Sequence, residues 1–181
     1  MRGHHPLWLF TDSTRLPNPR PAAHHLPIGL AGVVLRHDDA PDRAALGRDL
    51  ARICRARRLT LVLAGDARLA ATLGAGIHLR GGRWLGPLRA RHRPLTSSAH
   101  SIPELRRAAR AGARVVFLSP AFATASHPNL PVLGPVRWAA VLRQARIPAA
   151  VAVLALGGIT GANVRRLPRS CAGVGAIAAL A

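Results

Sequence analysis

The sequence contains no lysine and no tyrosine, and it has only seven acidic residues against 26 basic ones, all of them arginine. The formal net charge is +19, an excess that attracts nucleic acids and phosphorylated small molecules alike. Only three Phe and three Trp are present, and they do not alternate with the arginine clusters as base-stacking residues would. The distribution of arginine and aromatic residues therefore argues against nucleic acid as the main partner, and the net charge alone does not identify the ligand.

Cysteine and long hydrophobic runs are also scarce. Cys54 and Cys171 are isolated, so their spacing indicates neither a metal site nor a disulfide framework. No apolar run approaches the roughly 18 residues of a membrane span, and the N-terminus lacks the apolar segment of a signal peptide. We expect a cytoplasmic protein. A chain of 181 residues that is 49% hydrophobic predicts a single globular domain over residues 1–181.

Eight short hydrophobic runs alternate with helix-forming or loop segments. The runs are 7–11, 32–36, 59–64, 76–79, 95–99, 115–118, 153–156 and 173–180. Helices are predicted after Asp42 and at 67–73, 101–112, 136–146 and 162–167, whereas several prolines in 16–27 argue against a long first helix. This alternation predicts a (β/α)8 TIM barrel with trimmed helices. An open doubly wound sheet is the alternative.

The most informative stretch is the seventh run, which ends in Gly157-Gly158 and is followed by Thr160. Because glycine lacks a Cβ, backbone N–H groups there can approach an anion closely. A helix that begins at Thr160 would direct its positive end at the same point. The stretch predicts a phosphate-binding turn, with a strand-to-helix connection that binds no ligand as the alternative.

Polar residues and glycines follow several of the predicted strands, and a barrel brings all of these strand ends to one face. Asp66 is as well suited to capping a helix as to binding a metal. Ser98 and His100 would form a nucleophile pair only if the fifth strand continued past Ala99. The predicted strand ends are Asp12, Arg36, Asp66, 79–80, 98–100, 119–124, 157–158 and 177–178.

The order of these motifs resembles the thiamine phosphate synthase and thiazole tautomerase superfamily over nearly the whole chain, from Leu7 to Ala181. The segments that carry the resemblance are 33–36, 75–79, 98–101, 112–117, 119–127 and 156–159. The resemblance implies a barrel enzyme that joins two phosphorylated halves of thiamine. The nitrogen of a thiazole phosphate would displace pyrophosphate from hydroxymethylpyrimidine diphosphate, assisted by Mg²⁺.

The resemblance also implies roles for individual residues. Arg36 and His127 would hold the diphosphate, and Ser98 would contact the pyrimidine. Asp66 would be a ligand of Mg²⁺. The thiazole phosphate would bind to Thr124, Ala125, Ser126, Gly157, Gly158, Ile177 and Ala178.

The sequence departs from the family pattern mainly in the magnesium–diphosphate half of the site. The position of the second metal carboxylate falls at Arg83, and that of a pyrophosphate-binding lysine falls at His127. A single carboxylate is a poor Mg²⁺ site unless substrate phosphates and waters complete it. Two alternatives therefore stay open. One is a non-catalytic or regulatory binder of thiazole or thiamine phosphate. The other is a tautomerase-like isomerase, whose histidine position falls at Pro120.

Overall fold

A computed structural model describes residues 4–83, 94–124 and 131–177, and it contains a closed parallel β-barrel. The strands are β1 (Leu7–Phe10), β2 (Ala31–Leu35), β3 (Thr60–Ala64), β4 (Gly76–Arg80), β5 (Leu95–Ala99), β6 (Val115–Leu118), β7 (Ala152–Leu156) and β8 (Val174–Ala176). Each strand pairs with the next along the chain, and β1 also pairs with β8. The prediction of a TIM barrel is confirmed, and the open doubly wound sheet is wrong.

Five α-helices surround the described barrel. They are α1 (Arg20–His25), α2 (Arg43–Ala56), α3 (Ala67–Leu73), α4 (Ile102–Arg110) and α5 (Gly134–Ala145). α1 is only six residues long, in agreement with the prolines around it. None of the helices in the described ranges has the length and hydrophobicity of a membrane span.

The predicted helix at 162–167 is wrong, because only one 3₁₀ turn forms there, at Val164–Arg166. The N–H of Thr160 donates to Asn163 Oδ1 (2.9 Å), and the N–H of Asn163 donates to Thr160 Oγ1 (3.3 Å). Such bonds between side chain and backbone compete with helix formation. Pro168 follows soon after and limits further extension. Thr160 therefore stabilises a turn instead of capping an α-helix.

Alternate side chains of the strands fill the barrel interior. Phe10 and Phe117 pack edge to face, with ring centroids 4.7 Å apart. Trp8 lies directly over Gly32, where a Cβ would come within 2.4 Å of the indole ring. The interior cluster consists of Trp8, Phe10, Val34, Val62, Val115, Phe117 and Leu154. The outward-facing side chains pack beneath the helices in two further clusters.

The predicted starts of α2 and α4 differ from each other in their capping hydrogen bonds. Asp42 precedes α2, but its side chain makes no capping bond. Ser101 caps α4, since its Oγ accepts a hydrogen bond from the N–H of Glu104 (3.4 Å). The Glu104 carboxylate accepts from the N–H of His100 (2.7 Å). This bond fixes the short loop between β5 and α4 at the mouth of the barrel.

Candidate active site

A cavity of about 590 Å³ opens at the C-terminal ends of the strands. Its volume lies within the range of about 300–1,000 Å³ typical of sites for small molecules. The charged and histidine side chains in its wall are Arg15, Arg36, Arg80, Arg83, Glu104, His78 and His100. Four arginines against one glutamate make the cavity suitable for an anionic small molecule.

Arg36 follows β2 and is held in place through its backbone. Its N–H donates to Thr11 Oγ1 (2.9 Å), which also lies 2.8 Å from Nδ1 of the buried His37. The guanidinium of Arg36 makes no hydrogen bond or ion pair with any described residue. Burial lowers the pKa of Arg36 below its ordinary value, and repulsion from Arg80 lowers it further. Asp38 and Asp12 attract this cation and partly offset these effects, but neither carboxylate forms an ion pair with it. The guanidinium can therefore bind a ligand anion.

Arg80 and Arg83 flank a tight turn formed by Gly81 and Gly82. The N–H of Arg83 donates to the carbonyl of Arg80 (3.0 Å), and the two residues form an isolated antiparallel bridge. Gly81 and Gly82 have φ angles of +56° and +70°, as in a type I′ turn, which glycine adopts without steric cost. Because residues paired across such a turn lie side by side, both arginines reach the same cavity.

The turn is anchored to neighbouring elements by three further contacts. The N–H of Gly82 donates to Ser97 Oγ (3.0 Å), and Arg107 Nη1 donates to the carbonyl of Gly81 (2.9 Å). A Cβ at Gly82 would lie only 2.5 Å from the backbone nitrogen of Ala108. The turn therefore packs directly on α4, which fixes the backbone that carries both arginines.

Gly157 and Gly158 lie on another part of the cavity wall, after β7. Their φ angles are +91° and +63°. The carbonyl of Gly157 accepts a hydrogen bond from Phe122 N–H (3.0 Å), and that of Gly158 accepts from Asn163 Nδ2 (2.7 Å). In the part of the chain that the structure describes, neither glycine N–H donates a hydrogen bond. Both N–H groups are thus available to an anion in the cavity.

The glycines are also required by packing, which the sequence did not indicate. A Cβ at Gly158 would lie 2.2 Å from the carbonyl oxygen of Ala123, and one at Gly157 would lie 3.1 Å from Cα of Pro120. The chain after β6 therefore packs against the turn that follows β7. This contact places Thr124 in the same cavity wall as Gly157 and Gly158.

His100 pairs with Ser119 instead of Ser98. Its Nδ1 lies 3.1 Å from both Oγ and the carbonyl oxygen of Ser119. Glu104 binds the backbone N–H of His100, and no bond joins its carboxylate to the imidazole ring. This arrangement lacks the carboxylate that orients the histidine of a nucleophilic triad. Ser98 lines the cavity separately, at the end of β5.

His78 and Phe10 form part of the cavity floor. His78 is 3% exposed, its Nδ1 lies 2.8 Å from Thr96 Oγ1, and its ring packs edge-on against Phe10. Burial lowers the pKa of His78 to about 3, and the positive charges of Arg36 and Arg80 add to this effect. The imidazole is therefore neutral near neutral pH and presents a flat, uncharged surface to the cavity.

The carboxylates of the chain do not fit a magnesium site. All seven acidic residues lie in the described ranges. Asp66 does not line the cavity, and its carboxylate accepts a hydrogen bond from Leu69 N–H (2.9 Å) as the cap of α3. Asp38 forms ion pairs with Arg80 and Arg43. Among the described residues, no three His, Cys, Asp or Glu side chains cluster as metal ligands do.

A model of the thiamine monophosphate synthase family matches residues 9–180 of the chain. The chain belongs to the thiamine monophosphate synthase family. A thiamine-phosphate synthase from Geobacillus kaustophilus (strain HTA426) is 32% identical over 146 residues, which cover 77% of this chain. The same alignment covers 65% of the Geobacillus protein, slightly less than two thirds of its length.

Two solved structures share the barrel of this family member. The thiamine phosphate pyrophosphorylase from Pyrococcus furiosus superposes with a TM-score of 0.76 at 21% identity, covering 97% of this chain and 87% of that chain. The thiamine phosphate pyrophosphorylase from Bacteroides thetaiotaomicron gives a TM-score of 0.56 at 19% identity, with coverages of 96% and 83%. At these identities the likeness concerns the fold.

The residues predicted from the family resemblance fall into three groups in this member of the thiamine monophosphate synthase family. The cavity brings together Arg36, Ser98, Thr124, Gly157, Gly158 and Ile177. Asp66 lies outside the cavity wall and caps a helix. Ala125, Ser126, His127 and Ala178 lie outside the described residues, so their roles stay predictions.

The structure adds three arginines to which the sequence analysis gave no binding role. Arg15 follows β1, and Arg80 and Arg83 follow β4. The signal for the last two was present in the sequence, as an Arg-Gly-Gly-Arg turn directly after a strand of the barrel. The family pattern obscures this signal, because it has a metal-binding carboxylate at the position of Arg83.

Proposed function

We propose that the protein is a thiamine phosphate synthase-type transferase. It would join hydroxymethylpyrimidine diphosphate to thiazole phosphate and release pyrophosphate. The main support is one cavity that holds an arginine cluster and, separately, a turn with unengaged N–H groups. Two phosphorylated substrates require two anion sites on either side of the reacting atoms.

We propose that these two anion sites lie across the barrel from each other, on the basis of the strand order. Arg36 follows β2 and Arg80 ends β4, so the two residues flank β3. In a ring of eight strands, β3 lies four strands from β7, after which Gly157 and Gly158 follow. The diphosphate would bind on the β2–β4 side, and the thiazole phosphate at the β7–β8 side with Thr124 and Ile177.

The reaction requires little proton transfer from the protein. The thiazole nitrogen uses its lone pair to form a bond to the methylene carbon of the pyrimidine. The bond from that carbon to the diphosphate oxygen breaks, and pyrophosphate leaves with the electron pair. Guanidinium groups at Arg36, Arg80 and Arg83 would stabilise the negative charge that develops on the leaving group. Ser98 would contact the pyrimidine above the neutral floor formed by His78 and Phe10.

The two other activities considered for the sequence gain no support from the described residues. Pro120 occupies the position of the tautomerase histidine and has no group that accepts a proton. A non-catalytic binder would need only one anion site, whereas we propose two in this cavity. His127, Ala125, Ser126 and Ala178 remain proposed contacts of the substrates. Location in the cytoplasm likewise stays a prediction.

The transferase is tested by incubating the purified protein with both substrates and measuring thiamine phosphate and pyrophosphate. We expect the two products in equal amounts. Arg36→Ala should lower kcat/KM by roughly a hundredfold or more, because a donor to developing charge is worth about 3 kcal/mol.

Arg110→Ala is the matched control for Arg36→Ala. Arg110 is exposed at the last turn of α4, away from the cavity residues. Its replacement should leave kcat/KM unchanged. If no thiamine phosphate forms while thiazole phosphate still binds, the protein is a binder and the proposed transferase is wrong.

A further inference from the structure

The cavity carries an excess of fixed positive charge that its own acidic residues do not balance. Four arginines and only one glutamate line it, and that glutamate is engaged by the backbone N–H of His100. Asp12 pairs with Arg15 (3.3 Å) and accepts hydrogen bonds from the N–H groups of residues 14 and 15. No carboxylate is left over in the wall to bind a cation.

Asp38 orients one of these arginines but cannot neutralise the cluster. Its two oxygens are shared between Arg80 and Arg43, and the separation from Arg43 is 3.4 Å. A carboxylate already bound by two guanidinium groups is a poor ligand for a divalent cation, since a cation would have to displace one of them. Asp38 therefore positions Arg80 and is not a candidate metal ligand.

The two arginines beside the Gly81-Gly82 turn are presented by a rigid backbone. The turn is held by hydrogen bonds to Ser97 and Arg107, as described above. Guanidinium groups are permanently charged and form paired hydrogen bonds with phosphate oxygens. Two of them on one short turn, in the same cavity wall as Arg36, match the several oxygens of a diphosphate.

We infer that this cavity binds the diphosphate group as a metal-free anion, through the guanidinium groups of Arg36, Arg80 and Arg83. At other phosphate sites, Mg²⁺ bridges carboxylate ligands and phosphate oxygens. In this cavity the arginine side chains supply the positive charge directly. The substrate is named here on the basis of the proposed function. The binding of an isolated diphosphate anion does not depend on that function.

The test is isothermal titration calorimetry of the full chain with inorganic pyrophosphate at one fixed ionic strength. One titration contains EDTA, and the other contains Mg²⁺ in excess. We expect binding in EDTA and an apparent Kd that is the same or higher in excess Mg²⁺, because no protein group requires the metal and Mg²⁺ in solution competes with the arginines for the pyrophosphate oxygens. Binding that occurs only with Mg²⁺ would overturn the inference.

Substitution of single arginines identifies the groups that bind. Arg83→Gln should weaken binding in EDTA by roughly tenfold, the usual effect of losing a charge-assisted hydrogen bond. It is a cleaner variant than Arg80→Gln, because Arg80 also neutralises Asp38. Arg110→Gln, away from the cavity residues, should bind like the unsubstituted chain. Equal Kd values for Arg83→Gln and Arg110→Gln would contradict the inference.

Charge reversal at the same position should make pyrophosphate binding dependent on Mg²⁺, in contrast to the unsubstituted chain. Arg83→Asp should abolish most binding in EDTA, and Mg²⁺ should restore part of it by bridging the new carboxylate to the diphosphate. Arg83 is exposed, so neither substitution should disturb folding, and near-identical circular dichroism spectra check this. Indifference of Arg83→Asp to EDTA and Mg²⁺, with full affinity, would again rule the inference out.

Failure of the inference is distinguishable from failure of the proposed function. Pyrophosphate binding in EDTA without formation of thiamine phosphate would support the inference and contradict the transferase. Formation of thiamine phosphate that stops in EDTA, together with Mg²⁺-dependent pyrophosphate binding, would give the reverse result.

Discussion

At the residue scale, the electrostatics of the cavity depend on how burial affects the charge of individual side chains. His78 and Arg36 are neighbours in the wall, and the positive arginine contributes to keeping the imidazole neutral. Arg36 keeps its charge even though burial and Arg80 lower its pKa, because an arginine titrates far above neutral pH. The result is a floor without charge beside a wall of cations, an arrangement suited to a flat ring that carries phosphate groups.

The neutral state of His78 predicts a specific loss of stability in acid. In the unfolded chain its pKa returns to about 6.5, so below that pH the unfolded state binds a proton that the folded state does not. The free energy of unfolding should therefore fall as the pH is lowered, by up to about 1.4 kcal/mol per pH unit. Urea titrations at several pH values between about 7.5 and 5 measure this slope.

His78→Asn is the control for this slope, since an amide can still bond to Thr96 but does not titrate. In this variant the slope of the free energy of unfolding against pH should decrease by the contribution of about one proton. A residual slope of the same sign is expected from His5, whose pKa is lowered by burial and by His4. An unchanged slope in His78→Asn would show that His78 is charged in the folded state or that it does not titrate in this pH range.

Single residues were predictable from the sequence where position alone decided their role. Arg36 and Ser98 were found because each lies at the end of a strand, and a barrel brings those ends together. The roles of Arg80 and Arg83 are predictable only once a turn is recognised that brings residues three positions apart side by side. The engagement of Asp66 in a helix cap was one of two possibilities that sequence could not separate.

At the element scale, the strand-to-helix turns determine the shape of the site. The turn at Gly157-Gly158 is fixed by its contacts with the chain after β6, and the turn at Gly81-Gly82 is fixed by α4. In both, a pair of glycines with positive φ allows backbone to pack on backbone. Both proposed anion sites thus depend on a pair of glycines with positive φ, on different sides of the barrel.

Gly158→Ala should disrupt the thiazole phosphate site. A Cβ there would lie 2.2 Å from the carbonyl of Ala123, in a φ region that costs an L-residue about 1–2 kcal/mol even without a clash. With overpacking, the free energy of unfolding should fall by about 2–4 kcal/mol. The affinity for thiazole phosphate should fall at least roughly tenfold by calorimetry, because the N–H groups move.

Gly161→Ala is the matched control, since no atom lies within 4 Å of a Cβ at that position. It should change the free energy of unfolding by less than about 0.5 kcal/mol and leave the affinity unchanged. Equal behaviour of the Gly158 and Gly161 variants would mean that the turn is not packed as described.

Strands were more predictable from the sequence than short helices. The predicted runs 59–64 and 115–118 match β3 to within one residue and β6 at both ends, because strands buried on both faces have few polar positions. The error at 162–167 arose from Thr160 and Asn163, whose side chains favour a turn over a helix. Such local competition is decided by a few tenths of a kcal/mol and leaves no periodic signal.

At the scale of the whole molecule, closure of the barrel depends on interior packing between strands that are distant in sequence. Trp8 is 2% exposed, its ring packs edge-on against Phe117, and its Nε1 donates to the carbonyl of His5. It also covers Gly32 in the neighbouring strand. One side chain thereby joins β1, β2 and β6 inside the ring.

Trp8→Ala should lower the free energy of unfolding by about 3–5 kcal/mol, because it leaves a cavity inside the barrel. Val136→Ala, which truncates a side chain that is 83% exposed, should change it by less than about 0.5 kcal/mol. Urea unfolding followed by circular dichroism compares the two. Equal midpoints would show that the indole does not join the strands as described.

Under the proposed function, the arginine-lined cavity has a further consequence for the end of each catalytic cycle. Guanidinium groups that receive a departing anion attract it just as strongly afterwards, and they are permanently charged, so titration of these side chains cannot release it. Escape of the product into solvent would then limit the turnover rate more than bond formation does. The salt concentration of the surroundings would set the balance between capture and escape.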